Sequence, residues 1–477
     1  MVGIFVGYLV VTVLLGLWQA TRTKSQADFV LGGSRLPGWM LALSERATGE
    51  SAWLLLGFTG FVYANGLSGI WIGVGCLTGI STAWIVLARK FRSEAAKYRA
   101  MTMPEYFSAK FPEKAGAIRL VSTLIITFFF VFYVGAQFAG AGKTLQATFG
   151  LDPLYGQIIS AVAILGYASV GGFISVVAVD TLQAILMILT LIVAPVVMLA
   201  KVLAGPTSIP QALAAAGGGM GSLTGGAAGF AAGLLIFNNF AWFFGYLGGQ
   251  PQLNARFMGM RDDRQVKIGR NIAVVWTILA YSGAVVIGLT SIVLFGPRAF
   301  KDTELVLPQA LNTLFPWWLA AVLLAGAVAA MVSTAESMLI VAGTSISQDV
   351  YNGLIKKGAA SDRTLLAISR TATLVVGALG LVLALTTQKL IYYIVSYAWA
   401  GIGCSFAPAV LLSFYWDRFG SRGVVTALVT GLITTVVWIA TGLDQTITAM
   451  AMTFFASIGM AVLVTLMEPR APERVSP

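Results

Sequence analysis

Thirteen apolar runs, each long enough to cross a bilayer as a helix, follow one another along the chain with only short polar joints between them. They fall at about 2–20, 38–64, 67–90, 117–147, 154–172, 174–202, 226–249, 268–297, 315–347, 363–386, 389–415, 421–441 and 445–467. Within hydrocarbon a chain must satisfy its own backbone, and uninterrupted runs of this length do so only as helices. The sequence therefore predicts an all-α polytopic membrane protein, one transmembrane domain over residues 1–477. Only 10% of its residues are charged, where soluble domains carry about a quarter.

The basic residues orient the runs. Twenty-four of the 30 Lys and Arg fall on one side, in segments 21–36, 89–119, 250–270, 348–370, 417–422 and the C-terminal residues, against five on the other. The positive-inside bias then puts the N-terminus outside and the C-terminus in the cytoplasm of a bacterial-type inner membrane. Residues 2–20 lack the basic head and small-residue cleavage site of a signal peptide and read as a retained span. Because the positive charge is dispersed over short loops, it does not indicate nucleic acid. Histidine is absent, and Cys76 and Cys404 lie inside apolar runs without metal-ligand spacing. No activated nucleophile is evident, and the Gly-rich run 216–227 lacks the strand, lysine and spacing of a phosphate cradle, reading instead as a flexible external loop. An enzyme and a nucleotide-driven pump are both disfavoured.

Some spans are poorly suited to lipid. Residues 41–53 carry Glu45, Arg46, Glu50, Gly49, Ser44, Thr48 and Ser51 in the middle of an apolar segment. An ionisable group near the bilayer centre costs at least ~2.5 kcal/mol, so such groups persist beside a partner, a cavity or an ion path. This predicts a broken helix lining a binding site. A second break is expected between Trp242 and Pro251, where three glycines and a proline oppose continuous helix. Asp180 lies among apolar neighbours, and Ala330, Ser333, Thr334 and Ser337 share one face of the ninth run. Thr102 to Phe107 reads as a short capped helix at the membrane interface. Two interrupted helices five spans apart point to an inverted-repeat transporter with its site at mid-membrane. One repeat would be helices two to six (about 38–202), the other helices seven to eleven (about 226–415), with 2–20, 421–441 and 445–467 peripheral.

An ordered set of motifs resembles the sodium:solute symporters, especially the bacterial sodium/proline members. They run from Asp28-Phe29-Val30-Leu31-Gly32-Gly33 and Ala42-Leu43-Ser44 through Trp53-Leu54-Leu55, Thr102 to Phe107, Gly171-Gly172-Phe173 and Asp180 to Ala184. Gly249-Gln250-Pro251, Ala255-Arg256-Phe257-Met258, Ser333-Thr334 and Val395 to Gly401 complete the set. The resemblance implies thirteen spans in a LeuT-like five-plus-five repeat, and import of a small polar solute, an amino acid such as proline, coupled to sodium. Carried over by position, the sodium ligands would be the carbonyls of Ala47, Glu50 and Ala330 with the hydroxyls of Ser333 and Thr334. Solute contacts would come from Ser51, Ala52, Trp53, Tyr133, Trp242, Tyr246 and Pro251. Asp180, Glu336 and Ser337 would form a second cation or proton site. The resemblance implies no organic cofactor and no obligatory protein partner; solute, sodium and lipid are the expected partners.

Three departures bear on coupling. Gly49 stands where the proline symporters carry an aspartate, with Glu50 beside it; Glu45 and Arg46 replace small neutral residues; and Glu336 replaces a serine. Arg46 is expected either to pair with Glu50 four residues on, or to act as a coupling charge toward Asp180 or Glu336. Proton coupling on the same fold is the alternative. A membrane solute sensor is a weaker one, because the chain ends about ten residues past its last span.

Overall fold

The computed structural model describes residues 1–21, 25–387 and 389–468. Among them the secondary structure is helical, apart from one isolated bridge between Leu36 and Met260. Ten helices are long and apolar enough to cross a membrane, or eleven when one bent pair is counted as a single span. Gly38–Tyr98 follows on as 61 residues of almost continuous helix. Such a run would reach ~90 Å, about three times a hydrocarbon core, so the break within it matters. It lies at Gly66, whose φ of 63° and ψ of −138° separate Thr59–Asn65 from Ile70–Thr82.

The helices that form the site are α1 (Val2–Ala20), α2 (Gly38–Ala52), α3 (Met103–Lys110), α4 (Ala115–Phe149) and α5 (Pro153–Leu203), with α6 (Trp242–Tyr246), α7 (Pro251–Met258), α8 (Asp263–Phe295), α9 (Trp317–Thr344) and α10 (Ile391–Tyr415). α2 packs against α5, α8 and α9, and α9 packs most extensively against α5. The apolar windows of Trp317–Ile355 and α10 are each 83% buried, against 22% for α1. α9 and α10 are thus central, whereas α1 turns Val2, Val6, Val10 and Leu14 outward, as a lipid-facing helix does. A central helix can afford hydroxyls that a lipid-facing one cannot.

Both expected interruptions are present. α2 breaks at Ser51, at φ 39° and ψ −168°, and continues through the wider π-type turn Trp53–Phe58. Gly229–Tyr246 and α7 meet at 43° across residues 247–250, where Gly248 takes a φ of 76°. A Cβ at Gly249 would collide with the carbonyl of Gly403 on α10, so this bend is pressed against a neighbouring helix. α5 contains a third break, at Gly172 (φ 65°, ψ −171°), where a Cβ would sit 2.7 Å from the Phe29 ring. Backbone of this kind is open essentially only to glycine, at a cost of about 1–3 kcal/mol for other residues. Gly172→Ala should lower the thermal midpoint of the purified protein by several degrees, whereas Gly3→Ala, which meets no atom within 4 Å, should leave it unchanged.

The loop helix α3 starts as its sequence predicts. The Thr102 hydroxyl accepts from the Glu105 amide at 3.1 Å and Pro104 sits in the first turn. The Gly-rich run departs from the expected flexible loop, because it is tied to the Gly66 turn: the Leu67 amide donates to the Met220 carbonyl and Trp71 Nε1 to the Leu223 carbonyl, each at 2.9 Å.

Candidate functional site

Carbonyls in the last turn of a broken helix lack intrahelical donors and are available to other partners. On α2 these meet the hydroxyl face of α9. Ser333 Oγ donates to the Ala47 carbonyl at 2.9 Å and lies 3.3 Å from that of Ala330. Thr334 Oγ1 lies 2.9 Å from the Thr48 carbonyl and 3.0 Å from that of Ala330. All five residues are fully buried. Two hydroxyls and three carbonyls therefore converge in a buried cluster, with high partial negative charge and no formal anion. That donor set matches a hard monovalent cation, which could take the same oxygens once the hydroxyl hydrogens rotate away from the carbonyls.

Four of the five expected ligands, Ala47, Ala330, Ser333 and Thr334, are thus brought together. Glu50 is engaged elsewhere. Its carbonyl accepts from the Trp53 amide, and its carboxylate takes Arg46 Nη1 and the Tyr281 hydroxyl, each at 2.6 Å. The Thr48 carbonyl, one residue past Ala47 in the same turn, stands in the oxygen cluster where Glu50 was expected.

Beside the break lies an aromatic cluster. The Tyr133 hydroxyl donates to Ser51 Oγ at 3.2 Å and accepts from Trp399 Nε1 at 2.9 Å. The Ala52 amide donates to Gln137 Oε1 at 3.0 Å. Trp53 lies flat on Trp242, with ring centres 4.1 Å apart and planes within 9°, and Tyr246 packs against Trp399 at 4.2 Å. The cluster joins Ser51, Ala52, Trp53, Tyr133, Trp242 and Tyr246, as expected. Pro251 is not among them: it opens α7 and lines a separate small cavity with Thr102, Pro104 and Ser345. Trp399, Tyr281 and Gln137 were missed, since each sits on an unbroken helix with no local irregularity to mark it. A cavity of about 150 Å³, lined by Trp242, Tyr392, Asn238, Tyr397 and Asp444, abuts the cluster. The Trp242 ring divides it from Trp53.

Two buried guanidinium groups pair with three buried carboxylates. Arg46 pairs with Glu45 and, four residues on, with Glu50 at 2.6 Å. Trp84 Nε1 donates to Glu45 at 3.0 Å, and the Tyr281 hydroxyl that caps Glu50 lies 3.1 Å from that of Tyr246. Arg46 is therefore the centre of a local ion triad, in which the pair with Glu50, one of its two expected arrangements, is joined by Glu45. The group beside Asp180 is Arg256, which the loop tally had assigned to the cytoplasmic side. It is completely buried, and its Nη2 lies 3.0 Å from Asp180 Oδ2. Ser44 Oγ donates to the same carboxylate oxygen at 2.6 Å.

The sequence pattern of the sodium:solute symporter family matches residues 29–431. The chain belongs to that family. Among curated relatives, this symporter is 32% identical to the high-affinity proline transporter of Bacillus subtilis (strain 168) over 466 residues, 97% of each chain. It is 32% identical to the sodium/proline symporter of Escherichia coli (strain K12) over 469 residues, 97% of this chain and 92% of that one. In solved structures, it superposes on a Na+-coupled sialic acid symporter in a substrate-bound outward-open state with a TM-score of 0.82 at 17% identity, covering 98% of each chain. The nucleobase-cation-symport-1 transporter Mhp1, in a closed conformation with bromovinylhydantoin bound, gives 0.54 at 13% identity, covering 91% of this chain and 94% of that one. These likenesses give the symporter a LeuT-like fold; the relatives named are transporters, not enzymes.

Proposed function

We propose that the chain imports a small zwitterionic solute, an amino acid of the proline type, together with sodium. The observation that carries this reading is the convergence of the Ser333 and Thr334 hydroxyls on the Ala47, Thr48 and Ala330 carbonyls, one turn from Ser51. In this reading sodium takes those oxygens and draws α2 against α9. That would fix the backbone at the Ser51 break, so that Ser51 and Tyr133 present polar atoms to a solute packed among Trp53, Trp242, Tyr246 and Trp399.

The relatives named as proline transporters support the solute class, and a small aromatic-walled pocket suits a compact ring. Because Trp53 and Trp242 are in stacking contact, the solute must part them to enter from the adjoining cavity, which we read as the outer vestibule. Two tryptophan faces against one another contribute about 0.5–1.5 kcal/mol beyond area burial, an amount a bound solute can replace. We further propose the repeat boundaries 38–202 and 226–415, thirteen crossings, an external N-terminus, and a cytoplasmic C-terminus in a bacterial inner membrane. The basic-residue bias of the loops supports this orientation.

The test is uptake of labelled proline by proteoliposomes. An inward sodium gradient should drive accumulation and a pH gradient alone should not; accumulation under the pH gradient without sodium would contradict sodium coupling. Tyr133→Phe removes the hydroxyl that joins Ser51 to Trp399. A net loss of about 1–3 kcal/mol is expected for a buried group left unpaired. The half-saturating proline concentration should therefore rise roughly 5- to 150-fold, accompanied by some loss of thermal stability, because Trp399 Nε1 loses its acceptor.

A further inference from the structure

Asp444 borders the cavity outside Trp242 from a loop that three other elements hold in place. The Asn238 side chain, on the helix Gly229–Phe240, donates to the Thr446 carbonyl at 2.9 Å and accepts from the Thr448 amide at 3.0 Å. Trp438 Nε1 donates to the Ile447 carbonyl at 2.7 Å, and on α10 the Tyr397 hydroxyl donates to Asp444 Oδ2 at 2.9 Å. Lys389 Nζ lies over the same Tyr397 ring, 5.4 Å from its centre. One tyrosine thus carries a carboxylate at its hydroxyl and an ammonium at its face. Among the described residues neither charge forms an ion pair, whereas Asp302 and Glu304, also near the outer ends of the spans, share Lys143. Behind them Tyr392 stacks on Phe61 at 4.8 Å and lies 6.0 Å from Trp242, an aromatic floor leading to the stacked tryptophans.

We propose that this cavity is a reception site for zwitterionic amino acids, in which Asp444 takes the solute's ammonium and Lys389 its carboxylate before the solute parts Trp242 from Trp53. Such a site presupposes the import reading and lies ahead of the Ser51 break on the solute's path. At about 150 Å³ the cavity admits a small amino acid. A bare cation would gain the carboxylate but face the ammonium, and an anion the reverse, so the two groups favour a solute that carries both charges. Because the Tyr397 ring holds them apart, no ion pair must be broken when the solute arrives, and groups already fixed in place lose little freedom. Charge complementarity at an entrance also speeds encounter, an effect that falls with ionic strength. Solvent reaches both groups, which keeps the attachment weak enough for the solute to move on inward.

The test is initial proline uptake by the full chain in proteoliposomes, at fixed sodium and varied ionic strength. Asp444→Asn and Lys389→Gln should each raise the half-saturating proline concentration roughly 2- to 5-fold at low ionic strength, the range of a charge pair that solvent reaches. Asp444→Glu, which keeps the charge, should lie nearer to wild type than Asp444→Asn. Added choline chloride should raise the wild-type value and erase the difference, because salt screens a charge effect and leaves a packing effect untouched. Wild-type uptake with both neutral variants unchanged, or a difference that persists in high salt, would overturn the site. A shift in the half-saturating sodium concentration in place of the proline one would assign Asp444 to the cation and overturn it as well. Wild-type protein that takes up no proline would remove the import reading instead, so the two failures are distinct.

Discussion

Replacing Ser333 and Thr334 together, as Ser333→Ala/Thr334→Val, should abolish sodium stimulation of uptake while leaving the folded protein in the membrane. Each hydroxyl is a neutral donor to backbone carbonyls, at 2.9 Å to Ala47 or Thr48. Its loss without the ion forfeits only about 0.5–1.5 kcal/mol per hydrogen bond. Toward a bound cation the same oxygen acts as a ligand, and interactions with charged groups are worth about 1.5–3 kcal/mol each. One substitution should raise the half-saturating sodium concentration by roughly 10- to 150-fold. Two should carry it beyond any usable concentration. Measured as initial proline uptake against sodium concentration, a double variant with wild-type sodium dependence would remove the oxygen cluster from the mechanism.

Arg46→Ala should instead destroy the fold. Glu45 and Glu50 both lie in the buried α2 segment and share this one guanidinium, with Trp84 and Tyr281 supplying the remaining donors. Removing one partner of a buried ion pair costs about 3–5 kcal/mol, because a charge is left without compensation in a medium that cannot hydrate it. Here two carboxylates would be stranded. The variant should be found at a small fraction of wild-type abundance, and any purified protein should unfold far below the wild-type temperature. The triple change Glu45→Gln/Arg46→Met/Glu50→Gln removes all three charges and should recover much of that loss. Full stability for Arg46→Ala, with sodium coupling alone altered, would reinstate Arg46 as a coupling charge.

The contrast between the two arginines shows what the sequence could and could not convey. The broken α2 was legible because seven polar or small residues interrupt an apolar run. The cluster on α9 was legible because Ser333 and Thr334 are spaced to meet it. Arg46 was legible by position, and so was its pairing with Glu50 one turn on; Glu45 beside it was the partner not foreseen. Arg256 was hidden for a different reason. It sits among Arg261, Arg264 and Lys267 in sequence, so a loop tally counts it as a solvated charge. Only the bend at 247–250, which sends α7 back between the spans, makes it a buried one. Pro251 was misplaced by the same bend. Trp399 and Tyr281 were missed because regular helices carry no local sign that a side chain faces a site.

The central claim is that one sodium binds between the Ala47 turn and the Ser333 face. It is tested most directly by equilibrium binding of radioactive sodium to the purified protein, wild type against Ser333→Ala/Thr334→Val, with choline as the balancing cation. Saturable binding at one ion per chain, lost in the double variant, is the predicted result. Equal binding by both proteins would contradict it.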